Sequence, residues 1–465
     1  MHKKNDIGLI GLAVMGQNLA LNIASKGYSV SVYNRPADRP DDFIAEKTND
    51  NLKASYTLTE LVNSLKKPRK IILMIRAGKP VDMVLDNLLP LLEKGDIIID
   101  GGNSYFKDTN RRYEKLLGRG IQYLGVGISG GEYGALHGPS IMPGGSEKAY
   151  EKVAGILTDI AAQGEHGPCV SYLGPDSSGH YVKMVHNGIE YAVMQVISEA
   201  YDLMTKLIKM SPEEISRVFE EWNKRHRSYL LEITYIILEK KDSETGQTLI
   251  NTISDQAEQK GTGKWSVQDA LELGVPIPII GAAVNARFIS SLIGERKEFN
   301  RLFNIKDNTE VDRGNLLQDL EGAFYLVVIM SYAEGMKLLQ TASENYDYNL
   351  QLDVVARIWE NGCIIRSALL LYIQEVYRKN PALSNLILSD EFILEFRKNI
   401  DSLRRIVTES KQYKMPLPAM EAALDYFDSI CAADLPANLI QAQRDYFGAH
   451  GYRHRDKEGF FHTEW

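Results

Sequence analysis

Short apolar runs alternate with amphipathic stretches and glycine-bearing turns through the first third of the chain. Ile7–Ile10 reads as a short buried strand, Gln17 to Lys26 as a helix, and Ser29 to Asn34 as a second strand entered through the Gly27-Tyr28 turn. The alternation goes on with strands at Lys70–Ile75, Asp96–Asp100 and Ile121–Gly125 and helical patterns at Val81–Leu92 and Thr109–Leu117. Strands alternating with helices predict a parallel sheet whose ligands sit at the carboxyl ends of the strands. The turn-rich segment Gly174-Pro175-Asp176-Ser177-Ser178-Gly179 then changes the character of the chain. Beyond it the apolar positions follow a helical period, as in Tyr191–Lys209, Pro212–Asn223, Leu316–Ala342 and Asp390–Ser410. Whether these long helices form two related bundles is open at this level.

Between the first strand and first helix lies Gly11-Leu12-Ala13-Val14-Met15-Gly16. Gly11 permits a tight turn, and Gly16 lets the helix pack closely on the strand. Ala13 stands where the fingerprint usually has its middle glycine. With the required strand before it and helix after it, the motif predicts a Rossmann-type dinucleotide site. The second strand ends in Asn34-Arg35-Pro36. An acid there would accept from a ribose 2′-hydroxyl, whereas Arg35 can hold a 2′-phosphate, so NADP is expected. The plainer alternative makes Arg35 a solvated strand-end residue. Ile75-Arg76-Ala77 and Gly102-Asn103 lie at further strand ends, and Ser129-Gly130-Gly131 offers backbone N–H groups to an anion. The expected organisation is an α/β Rossmann-type domain (1–177), a large all-α domain (178–434) and a C-terminal tail (435–465).

The stretch Lys183 to Tyr191 carries the most chemistry. Lys183, His186, Asn187 and Glu190 stand at i, i+3, i+4 and i+7, on one face of a helix. Such a stripe is a poor core face, since each group must be hydrogen-bonded or wet. As a site face it supplies an amine and a carboxyl able to exchange protons if burial moves their pKa values. A solvated face with one charge pair is the competing reading. Gln259-Lys260-Gly261-Thr262-Gly263-Lys264-Trp265 reads as an anion-gripping loop without the spacing of a P-loop. Arg287, among apolar neighbours, needs either a carboxylate or a ligand phosphate. The apolar and aromatic tail needs a surface to dock on, in this subunit or another.

Composition narrows the classes. A formal net charge of -8 argues against a nucleic-acid surface. Cys169, Cys363 and Cys431 are too few and scattered for a disulfide framework or zinc site, and are expected to be packing residues. With 44% hydrophobic residues, no signal-peptide-like start and no uninterrupted apolar run of bilayer length, a soluble cytoplasmic protein is expected.

Together the motifs resemble the 6-phosphogluconate dehydrogenase family over essentially the whole chain. The carriers are Gly11–Asn18, Ile98–Ser104, Gly138–Gly145, Lys183–Tyr191, Gln259–Trp265, Gly362–Arg366 and Leu435–His450. The resemblance implies oxidative decarboxylation of 6-phosphogluconate to ribulose 5-phosphate with reduction of NADP, in the pentose phosphate pathway. It implies Lys183 as the base at the C3 hydroxyl and Glu190 as the acid at C1. Asn103, Ser129, Gly130, Gly131, His186 and Asn187 would hold the sugar acid, and Tyr191, Lys260, Thr262 and Arg287 its phosphate. Arg444 and His450 would come from the tail of the other subunit of a homodimer. No metal is implied, because a protonated lysine can stabilise the enolate oxygen. The chain departs from the family at Pro36, Arg76, Tyr133, His137, Glu360-Asn361 and the basic run Lys224-Arg225-His226-Arg227. Pro36 removes a hydroxyl expected beside the 2′-phosphate. A different 3-hydroxy acid as substrate, or a non-catalytic dinucleotide sensor, are the rival readings.

Overall fold

The computed structural model describes residues 4–35, 43–44, 49–303 and 316–465; Pro36 lies outside them. Apart from a short hairpin of Gln163–Gly164 with Gly167–Pro168, the strands among the described residues are β1 (Ile7–Ile10), β2 (Val30–Tyr33), β3 (Leu52–Ala54), β4 (Lys70–Leu73), β5 (Ile97–Asp100), β6 (Gln122–Ser129) and β7 (Ser140–Gly145). They form one sheet in the order β3-β2-β1-β4-β5-β6-β7. All neighbours are parallel except β6 and β7, which run antiparallel. The purely parallel sheet expected from the alternation is thus corrected at one edge. Two strands of this sheet escaped the sequence reading, β3 for its shortness and β7 for its glycine and proline. β1 and β5 are fully buried, which explains their unbroken apolar runs.

A helix of 29 residues, Ser178–Lys206, links this domain to the rest. It starts inside the glycine-rich turn Gly174–Gly179 and lies directly on β6 and β7. Gly125 and Gly127, two apart on β6, face the same side of the sheet. A Cβ at Gly127 would run into the Lys183 side chain, and one at Gly125 would come within 2.8 Å of His180 Nδ1. Gly144 on β7 and Gly179 on the helix are equally intolerant, each facing backbone of the other element. Small residues at these four positions bring the helix to backbone contact, which buries its polar stripe.

His180 fastens the contact: its Nδ1 lies 2.7 Å from Thr109 Oγ1, and its Nε2 3.0 Å from the Asp100 carbonyl. The Asp100 carboxylate accepts in turn from Ser104 Oγ and Tyr123 OH.

The helical domain consists of two halves of one design. Its long helices, Ser178–Lys206 and Leu316–Asn345, each carry a buried glutamate. Glu199 accepts the backbone N–H groups of Ala419 and Met420 at 2.8 and 3.0 Å. Glu334 accepts those of Ile279 and Ile280 at 2.9 and 3.0 Å. Each glutamate thus satisfies the first turn of a proline-started helix, Pro418–Cys431 or Pro278–Ser291. The residues before those prolines share one conformation, φ −127°, ψ 63° at Leu417 and φ −131°, ψ 59° at Ile277. A reciprocal pair of backbone bonds, Tyr229 N to Arg366 O and Ala368 N to His226 O, both 3.0 Å, joins the halves. By length and composition Leu316–Asn345 could cross a bilayer, but 83% of its most apolar window is buried inside the protein. Cys169 and Cys363 are buried as expected, whereas Cys431 is exposed.

Candidate active site

The polar face of the linking helix points into the junction between the two domains. Lys183 is 6% exposed, and burial brings its amine down to about 8, against opposing pulls from Glu190 and Cys363. Burial likewise raises the Glu190 carboxyl, against the lowering influence of Lys183 and then Arg287. Two helical turns, roughly 10.5 Å of rise, separate the two residues. A small molecule can therefore lie along the stripe with the amine at one end and the carboxyl at the other.

Between them His186 and Asn187 form a directed chain of hydrogen bonds. The Ile364 N–H donates to Ser129 Oγ at 3.4 Å, and Ser129 Oγ lies 3.2 Å from His186 Nε2. His186 Nδ1 lies 2.9 Å from Asn187 Oδ1, and Asn187 Nδ2 donates to Thr262 Oγ1 at 3.2 Å. Only one proton arrangement satisfies every member: Ser129 donates to Nε2, and the Nδ1–H donates to Asn187. Burial, followed by the nearby Lys183, pushes the imidazole well below its usual range and keeps it neutral. Trp359 closes the site from the second half, its ring edge-on to His186 at 5.6 Å.

At the Glu190 end, Arg287 stacks on the Tyr191 ring, 3.4 Å from its centroid. Its Nη1 donates to the Glu258 carbonyl at 3.3 Å, and no carboxylate among the described residues forms an ion pair with it. Lys260 is exposed beside it. The expected anion loop is half helix, since Thr262–Leu273 is helical and Thr262 is buried in its first turn. On the sheet side, Gly130 and Gly131 have φ +114° and +62°, and Gly131 opens the helix Gly131–His137. Asn103 and Arg76 are exposed at the ends of β5 and β4.

The glycine turn after β1 is built as a cradle. Gly11 has φ +104°, where a Cβ would collide with the Met74 carbonyl and lie 2.7 Å from an Ile75 methyl. A Cβ on Gly16 would strike the Gly11 carbonyl. Leu12 N–H is held by Asn34 Oδ1 at 2.9 Å. Ala13 is extended, φ −75°, and exposed, so a methyl fits where the fingerprint has glycine. The helix Val14–Ser25 has no side-chain cap, leaving its first N–H groups for a ligand, and Met15 packs on the core beneath. Exposed Arg35 follows β2, and Ala77 follows β4 nearby. An open helix N-terminus, two glycines without room for a Cβ and a cation where an acid would repel phosphate fit a dinucleotide bearing a 2′-phosphate.

Arg444 and His450 are not brought to this site within the chain. Both are exposed on the tail, where Arg444 donates to Gln441 Oε1 at 3.1 Å and the His450 ring meets Phe447 at 5.9 Å. Sequence reasoning missed Trp359, the Ile364 N–H and Cys363 as members of the site. They arrive from about 175 positions away. The alternating glycines of β6 were a visible signal for the helix contact and went unread.

Two family models match the chain: the NAD binding domain of 6-phosphogluconate dehydrogenase over residues 6–174, and the 6-phosphogluconate dehydrogenase C-terminal domain over 179–465. A Bacillus subtilis relative named 6-phosphogluconate dehydrogenase, NADP(+)-dependent, decarboxylating, is 50% identical over 99% of both chains. A Staphylococcus aureus relative named 6-phosphogluconate dehydrogenase, decarboxylating, is 51% identical over 99% of this chain and 98% of its own. A solved structure of Plasmodium falciparum 6-phosphogluconate dehydrogenase superposes with TM-score 0.95 at 47% identity, covering 99% of this chain and all of that one. That enzyme is described in apo form, with its cofactor NADP+ and with its substrate 6-phosphogluconate.

Proposed function

This chain belongs to the 6-phosphogluconate dehydrogenase family, and we propose that Lys183 and Glu190 carry its chemistry. The enzyme oxidatively decarboxylates 6-phosphogluconate to ribulose 5-phosphate and CO2 with reduction of NADP. NADP, when bound, accepts the hydride from C3. Gly11 to Gly16 hold its pyrophosphate, Asn34 and Arg35 with Pro36 its adenosine ribose phosphate, and Ile75, Arg76, Ala77 and Asn103 line the nicotinamide side.

The neutral Lys183 amine takes the C3 hydroxyl proton. Its ammonium form then donates to the C3 oxygen as the carboxylate leaves as CO2, and Glu190 delivers a proton to C1 of the enediol. Asn103, Ser129, Gly130, Gly131, His186 and Asn187 hold the sugar acid; Tyr191, Lys260, Thr262 and Arg287 hold the phosphate. Arg444 and His450 complete the phosphate end from a second copy of the chain, in a cytoplasmic homodimer with exchanged tails. Leu439, Ile440 and Phe447, each at least 59% exposed on the tail helix, support that docking.

One observation carries the reading. Lys183 is a buried amine with no carboxylate within ion-pair distance among the described residues, poised near 8, on the same helix face as a buried carboxyl. The test pairs Lys183→Met with Glu190→Gln on 6-phosphogluconate and on a 3-keto analogue that can only decarboxylate. Lys183→Met should lose both hydride transfer and CO2 release. Glu190→Gln should still release CO2 but form ketone about 10²–10⁴-fold more slowly. The opposite pattern would reverse the roles.

A further inference from the structure

A cavity of about 500 Å³ lies in the helical domain, apart from the Lys183 site. It is lined by the start of Leu316–Asn345, the turn Arg225–Ser228, the segment Ile365–Tyr372 and one face of Asp390–Gln412.

Its position follows from the two-halves design. Aligning the buried glutamates Glu199 and Glu334, an offset of 135 residues, places Lys183, His186, Asn187 and Glu190 opposite Gln318, Glu321, Gly322 and Tyr325. All four of those residues line the cavity. Ile364, beside the first site, has its counterpart in the Arg225-His226 turn, since the reciprocal bonds of Tyr229 and Ala368 equate the two turns. The neighbouring helices also correspond: Asn187 donates to Thr262 in the first half, and in the second a Cβ on Gly322 would lie 2.8 Å from Asn399 Oδ1. The cavity thus faces the second half's counterpart of the Lys183–Glu190 stripe.

We propose that this cavity is a second ligand site, for a phosphate monoester of a small polyol, which it binds without turnover. Gln318 and Tyr325 replace the amine and carboxyl, so the proton-transfer pair is gone. Once the ion pairs are set aside, Arg227 and Lys398 stand against the single carboxylate of Glu395, which leaves the lining a small positive surplus. Arg225 is spent in a two-pronged pair with Glu321 at 2.8 and 2.7 Å, which His226 joins at 3.4 Å. Glu391 is paired with Lys379 at 3.1 Å, whereas Glu395 accepts from the neutral amide of Asn399 at 3.2 Å and keeps its charge at the cavity. Arg227 and Lys398, by contrast, are exposed at the cavity and make no ion pair among the described residues. Gln318, Tyr325, Tyr372 and Asn399 supply neutral hydrogen-bonding groups for hydroxyls. The volume falls in the range of small-molecule sites. Of the basic run Lys224–Arg227, Arg227 alone is left for the ligand, since Lys224 pairs with Glu221 at 2.6 Å and Arg225 and His226 with Glu321.

Calorimetry on the full-length enzyme without coenzyme, with 6-phosphogluconate as probe, should give two sites per chain. Inorganic phosphate should compete at the second site, and gluconate should not. Lys398→Glu, reversing a cation, and Gln318→Trp, filling the space at an exposed position, should each weaken the second site by about tenfold or more. Both should leave KM for 6-phosphogluconate unchanged. One site per chain in the unmodified enzyme, or a second site that survives in either variant, overturns the proposal. Competition by gluconate as strong as by phosphate would overturn the phosphate assignment.

Discussion

Lys183 Nζ lies 3.4 Å from His186 Nδ1, at the long edge of hydrogen-bond distance. His186 uses Nδ1 towards Asn187 and Nε2 towards Ser129, so the lysine keeps its lone pair for a ligand. The histidine is therefore expected to orient the amide rather than to transfer protons. His186→Leu should raise KM for 6-phosphogluconate and lower kcat/KM by about 10–100-fold, the cost of one buried hydrogen-bonding partner. The Lys183-dependent limb of the pH profile should survive; its disappearance would make His186 the base.

That limb sets the second prediction. Lys183 must be neutral to accept a proton, so kcat/KM should rise with pH on a limb near pH 8. Glu190 is a negative neighbour that raises the lysine. Removing its charge in Glu190→Gln should therefore move the limb to lower pH, while the maximum rate falls. A pH–rate profile whose limb stays in place would show that the two groups are not coupled.

Coenzyme choice is expected to turn on Arg35. Arg35→Asp puts repulsion where the 2′-phosphate would bind, so kcat/KM with NADP should fall by about 10²-fold or more relative to NAD. An unchanged ratio in the steady-state assay at 340 nm would remove Arg35 from the coenzyme site.

Glu334 is a structural group, pushed up to about 8 by burial against the two backbone donors it serves. Glu334→Ala strands the Ile279 and Ile280 N–H groups and should cost about 2–5 kcal/mol in denaturant unfolding. The raised carboxyl also has a pH sign. The folded state holds its proton more tightly than the unfolded state does, so this contribution is fully present below the unfolded value near 4.5 and is lost as pH rises towards 8.

Asp445 holds the tail together. Its fully buried carboxylate accepts the Gly451 N–H at 2.8 Å, the Thr463 N–H at 3.1 Å and the Trp465 indole N–H at 2.9 Å, and faces His462. Asp445→Ala should loosen the segment that carries Arg444 and His450. The expected readouts are faster proteolysis after residue 448 and a raised KM for 6-phosphogluconate with little change in NADP affinity. An unchanged KM would separate the tail from the substrate site.

The nucleotide cradle was legible because its constraints are local. A glycine with positive φ after a strand, a helix start and a strand-end arginine sit within about 30 positions, and each residue type has one steric or electrostatic reason to be there. The stripe Lys183–Glu190 was legible for the same reason, since helical spacing alone places its members on one face. Its burial was not. Chemistry that depends on a lowered lysine needs β6 and β7 to reach the helix backbone, and that contact joins glycines from strands up to about 55 positions upstream. The antiparallel edge, the arrival of Trp359 and Cys363, and the crossing of the two halves through Glu199 and Glu334 are likewise long-range. The sequence by itself determined which groups could do chemistry and which local backbone could carry them. Only the tertiary structure decided which were desolvated and paired, because burial depends on elements far apart in the chain meeting in space.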